Sequence, residues 1–76
     1  MGSMAERSLE FPSDVVLTDL RRRIESGEWE HGEQITPVAD LAGAYDCAGS
    51  TVARALAVLA GEGLLIVKAR WGTFRT

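Results

Sequence analysis

A mainly helical α+β fold, three helices followed by a C-terminal β-hairpin, is predicted by three observations on this 76-residue chain. Apolar residues recur at i, i+3, i+4 and i+7 in three segments, as the buried face of a helix requires. Glycines stand where the first and third of these segments should stop, at Gly27 and from Gly61 to Gly63. Two β-rich runs, LLIVKA and TFRT, then flank Arg70-Trp71-Gly72 and read as a hairpin. Helix, turn, helix, hairpin is the layout of a winged helix-turn-helix.

The first helix is expected from Ser13 to Ser26. Ser13 can cap its N-terminus and Asp14 suits the positive end of the helix dipole. Val16, Leu17, Leu20 and Ile24 share one face, and Gly27 supplies a left-handed stop. Arg21, Arg22 and Arg23 lie mostly off that face and read as a solvated helix end. Glu28 to Gln34 is polar and turn-like, broken by Trp29, which is expected to plug the small core. Gly32 to Ile35 is expected to add a short strand beside the hairpin. His31, a lone histidine, is expected to be exposed and chemically silent.

The second helix is expected to open at Thr36-Pro37, with Thr36 as cap and Pro37 in the first helical position, and to end at Tyr45. Val38, Leu41, Ala42 and Tyr45 give its apolar face. Asp46 to Gly49 makes the turn, with Cys47 as a buried spacer. The third helix should run from Ser50 to Gly61. Val52, Ala55, Leu56, Leu59 and Ala60 form its inner stripe, leaving Ser50, Thr51, Ala53, Arg54 and Ala57 outside.

The length allows one small core with little stability to spare. Composition, 46% hydrophobic and 25% charged, is that of an ordinary soluble domain. No apolar run is long enough for a membrane span, so a cytoplasmic protein without membrane contact is expected. Met1 to Met4 reads as a scar of expression, and residues 1–12 as a flexible lead-in to a domain at 13–76. One cysteine excludes an internal disulfide and any cysteine-rich zinc site. With no Gly-rich phosphate loop, no ligand cluster and no nucleophile beside a histidine, neither catalysis nor a cofactor is expected.

Charge is unevenly spread. The net charge of −3 is the wrong sign for meeting phosphates, yet residues 1–46 hold a balance of −6 and residues 47–76 one of +3. Positive charge therefore collects in the third helix and hairpin, where a DNA-binding face would need it.

The run T-V-x-R-A-L-x-x-L, followed by G-L-L and W-G-T-F, resembles the end of the DNA-binding domain of the GntR family of bacterial transcriptional regulators. L-R-x-x-I at Leu20 to Ile24, the spacing of Gly27 and Gly32, and D-L-A at Asp40 to Ala42 agree with it. The resemblance spans about residues 15–76 and implies a transcriptional regulator that binds duplex DNA. Ser50, Thr51 and Arg54 would then be helix contacts, Lys68, Arg70 and Arg75 wing or phosphate contacts, and Thr36 a backbone contact from the second helix. About four to six phosphates would be neutralised, with a steep dependence on salt. It also implies a homodimer, formed on DNA or through a C-terminal effector-binding domain such as the family normally carries; the 76 residues suit an excised fragment and a complete small protein alike.

The same resemblance shows departures. Relatives carry a serine and two arginines where this chain has Ala48, Gly49 and Ala53, and a histidine, His31, stands for a common proline. Arg70 occupies the place of a wing glycine, and Trp71 that of a residue often basic. A bidentate arginine on guanine is worth roughly 1–3 kcal/mol of discrimination, so two losses remove much direct readout. An arginine at a wing tip suits a narrow minor groove. The ring of Trp71 is expected either to fold back over the hairpin or to meet DNA or protein. Thr73 and Phe74 read as structural, with Phe74 turned to the core. The alternative function is a protein-protein interaction module on a winged-helix scaffold that has lost its DNA readout.

Overall fold

The computed structural model describes residues 12–76, so the expected lead-in lies outside the described residues apart from Pro12. It contains α1 (Pro12–Glu25), α2 (Val38–Tyr45), α3 (Gly49–Gly61), β1 (Leu65–Lys68) and β2 (Gly72–Arg75). This is the three-helix, one-hairpin architecture expected.

Each helix ends in the same six-residue lock, because its last carbonyls need partners. After α1, Glu28 N–H donates to the Arg23 carbonyl and Gly27 N–H to that of Ile24, with Gly27 at φ 91°. After α3, Leu64 and Gly63 donate to Leu59 and Ala60 in the same way, with Gly63 at φ 86°. After α2, Cys47 and Asp46 donate to Ala42 and Gly43, but here the left-handed position is held by an aspartate, Asp46, at φ 55°. Asp and Asn tolerate that region better than other side chains.

The helix starts differ from expectation. α1 begins at Pro12, which puts Ser13 inside the first turn. Thr36 does not cap α2: Pro37 itself is the N-cap, at φ −59° and ψ 152°, and no side chain caps this end. An extended ψ at Pro37 moves the helix start one residue on, out of reach of Thr36. α3 begins at Gly49, with Ala48 as N-cap at φ −74° and ψ 151°, again with no side-chain cap. Because that backbone already has capping geometry, Ala48→Ser is expected to stabilise the domain by ~1 kcal/mol, seen as a rise of about 4–8 °C in the midpoint of thermal unfolding.

The core is built as the apolar pattern dictates. Val16, Leu20 and Ile24 from α1 meet Val52, Ala55, Leu56 and Leu59 from α3, with Leu41 of α2, Leu65 of β1, Ile35 and Trp29 completing the cluster. Trp29 is 5% exposed, the expected plug. Cys47 and Leu17 are only partly buried against it.

β1 and β2 pair antiparallel, with Leu65 opposite Arg75 and Ile66 opposite Phe74. The expected strand at 32–35 is reduced to one bridge, Gln34 with Phe74, supported by bonds from Ile35 N–H to the Thr73 carbonyl and from Arg75 N–H to the Glu33 carbonyl. Register also corrects the expectation for Phe74. Neighbouring residues on a strand face opposite sides, so Leu65 and Arg75 take the inner side and Ile66 and Phe74 the outer one. Phe74 is half-buried outside the core cluster, with the Lys68 ammonium 5.4 Å from its ring centroid.

Candidate nucleic-acid interface

α3 turns Val52, Ala55, Leu56 and Leu59 into the core, and this fixes what it can offer outward. Ser50, Ala53, Arg54, Ala57 and Val58 are exposed, while Thr51 is half-buried at the edge of the stripe. The outer surface is thus small-residued with one cation, Arg54. Thr36 is half-buried ahead of α2.

The hairpin packs against α3 and carries the next cations. Lys68 and Arg70 are exposed, as is Trp71 at 72%. The turn closes with Trp71 N–H donating to the Lys68 carbonyl at 3.0 Å. Arg70 sits at φ 78°, a conformation that glycine adopts freely and that costs other L-residues roughly 1–2 kcal/mol. The Trp71 ring therefore stands in water at the wing tip rather than folded over the hairpin.

Arg75 has a different surrounding from the one expected of a phosphate contact. Its strand position turns it to the inner side, where Nη1 donates to the Trp29 carbonyl at 2.8 Å and Nε is buried without a partner. A guanidinium held in this way joins β2 to the loop after α1. Arg75→Gln is accordingly expected to lower stability by about 1–2 kcal/mol, the loss of a charge-assisted bond, and to leave the salt dependence of DNA binding unchanged; a slope reduced by one would return Arg75 to the interface.

The arginines of α1 are engaged in the fold as well. Arg21 pairs with Glu62 beyond α3, and Arg22 with Asp19. Arg23 grips Glu28 at 2.8 and 2.5 Å, lies 4.9 Å from the Trp29 ring centroid and donates to Tyr45 Oη at 2.9 Å. Tyr45 Oη in turn donates to Asp19 at 2.5 Å. The bond from Tyr45, reinforced by Arg22, holds the Asp19 carboxyl below its ordinary range, and the bond from Arg23 does the same for Glu28. Burial, with Asp19 beside it, pushes the Tyr45 hydroxyl up. This network fastens the C-terminal end of α2 to α1.

Seven of the eight cations lie among the described residues. Four of them, Arg21, Arg22, Arg23 and Arg75, have protein partners. Arg54, Lys68 and Arg70 make no ion pair or side-chain hydrogen bond among the described residues, and all three belong to α3 or the wing.

A model of the bacterial regulatory proteins of the gntR family matches residues 12–74. The chain belongs to this family. No curated protein matches it. Among solved structures, the N-terminal domain of AraR, crystallised in complex with mutant ORR3, superposes with a TM-score of 0.82 at 21% identity, covering 87% of this chain and 94% of that one. A GntR family transcriptional regulator from Listeria monocytogenes gives 0.82 at 20% identity, over 91% of this chain and 60% of the other. YydK from Bacillus subtilis subsp. subtilis str. 168 gives 0.76 at 18%, over 86% and 28%. At such identities the likeness is one of fold, and this GntR domain spans well under the full length of the last two chains. Among its described residues no helix is long and apolar enough to cross a membrane. The family consists of regulatory proteins, which sets this domain among DNA-binding regulators rather than enzymes.

Proposed function

We propose that residues 13–76 form a sequence-specific duplex-DNA-binding domain of a bacterial transcriptional regulator acting in the cytoplasm. Ser50, Thr51 and Arg54 meet the groove and its phosphates from α3, Lys68 and Arg70 meet them from the wing, and Thr36 touches the backbone ahead of α2. Arg75 leaves this set. The domain binds weakly alone and usefully as a dimer, formed on DNA or through a C-terminal domain.

The observation that carries the reading is the division of the cations. A surface that neutralises phosphate must leave its positive charge free, because a guanidinium already paired with a carboxylate brings its counter-charge with it. Arg54, Lys68 and Arg70 are free in this sense and α1 is not. Three free cations imply a slope of log affinity against log salt of about −3 per domain copy, lower than the about four to six neutralised phosphates expected from the sequence.

Titration of a labelled duplex at two salt concentrations tests this. Between about 50 and 200 mM the affinity of one copy is expected to fall ~40-fold. Absence of binding at the lower concentration overturns the reading.

A further inference from the structure

We infer that the wing tip carries a base-stacking wedge, Trp71, and that this domain discriminates DNA through groove shape and the ease of unstacking more than through base edges read by α3. The inference rests on the DNA-binding reading above and concerns how it is achieved. The recognition helix has little with which to read: Gly49 and Ala53 offer no polar side chain, and the outward residues Ser50, Ala53, Arg54 and Ala57 include one long polar side chain. The wing shows the opposite character.

Trp71 is the most exposed large apolar residue of the described chain, at 72%. Its backbone, however, is fixed on both sides. Its N–H donates to the Lys68 carbonyl at 3.0 Å, and its own carbonyl accepts from Gln34 Nε2 at 2.9 Å. Gly72 lies at φ 118°, a conformation that L side chains rarely adopt; the backbone of the tip therefore favours a residue without a side chain. A rigid mount with a free indole is what a wedge requires, since little order is lost when the ring is inserted.

The cations beside it choose the occupant. Arg70, held at φ 78°, and Lys68 are both without an ion-pair partner among the described residues, so the hairpin that carries the ring also carries two cations with no carboxylate to offset them. That combination suits a narrow, strongly negative minor groove, and an apolar side chain between base steps opens most readily at pyrimidine–purine steps such as TA. The expected ligand is a duplex with such a step in A·T-rich flanks.

The test uses the whole chain and three duplexes of about 20 base pairs. The first has a central TA step in A·T flanks. In the second, inosine·cytosine replaces the flanking A·T pairs, which keeps the minor-groove pattern and changes the major-groove one. The third has G·C flanks, adding the guanine amino group to the minor groove. The chain is expected to bind the first two within about twofold of each other and the third about tenfold more weakly. Trp71→Ala is expected to lose about tenfold on the first duplex with its salt slope unchanged, and Trp71→Phe to retain most of the affinity. 2-Aminopurine at the central step is expected to change its emission on binding the parent chain, as indole replaces the neighbouring base in the stack, but not on binding Trp71→Ala. Equal binding by parent and Trp71→Ala, or a preference that follows the major groove, overturns the wedge while leaving DNA binding intact, and would turn Trp71 over to a protein contact. No binding to any duplex at low salt overturns the DNA reading and the wedge together.

Discussion

The double variant Gly49→Arg, Ala53→Arg is expected to bind duplex DNA at least ~30-fold more tightly than the parent chain, with a salt slope steeper by about two. Both sites can receive the side chain. Ala53 is exposed on the outside of α3. A Cβ at Gly49 would lie 3.5 Å from Val38 Cγ1, ordinary contact, and its backbone needs no glycine. Arginine for alanine is nearly neutral for a helix, and replacing Gly49 also removes freedom from the unfolded chain. The gain would thus come from groove contacts, and competition with unrelated duplexes measures how much of it is selective. A gain in affinity that is equal for every sequence would show phosphate attraction alone; no gain would place α3 away from the groove.

Leu59→Ala is expected to leave the domain largely unfolded at 25 °C. Leu59 is fully buried on α3, the helix that packs on α1. Truncating such a leucine costs about 2–5 kcal/mol, and a core of this size rarely provides more than about 3–5 kcal/mol in total. Helical circular dichroism at 222 nm and its thermal transition check this directly. DNA binding should vanish with the fold, although Ser50, Arg54 and the wing are untouched. A melt lowered by only a few degrees would mean that α1 and α3 close over the gap.

The sequence carried the fold better than it carried the interface, and particular residues show why. α1 and α3 are legible because Val16, Leu20 and Ile24, or Val52, Leu56 and Leu59, repeat with the period of a helix and end at glycines. These signals are local. The start of α2 was less so: Thr36 and Pro37 are both suited to a helix opening, and only the extended ψ of Pro37 decides between them.

Arg75 and Phe74 depended on register. Adjacent strand residues exchange faces when pairing slips by one position, and the register was fixed by a turn with Arg70 in a left-handed conformation, which the residue type itself disfavours. The engagement of α1 was legible in part. Asp19 and Glu28 are close to Arg22 and Arg23 in sequence, whereas Glu62 reaches Arg21 across 41 positions, so its partnership exists only once α1 and α3 have packed. Positive charge in the second half of the chain was visible from composition; which cations remain free was not, because that is a property of pairs.

The contrasting settings of the two tryptophans make the domain its own spectroscopic gauge. Indole emission moves to longer wavelength as its surroundings become more polar, so Trp29, under the Arg23 guanidinium and shielded from water, emits to the blue of Trp71. Melting the core should shift the blue component to the red, whereas a ligand settling on the wing should dim or displace the red component alone. A single unlabelled sample can thus report loss of structure and occupancy as separate changes in one spectrum.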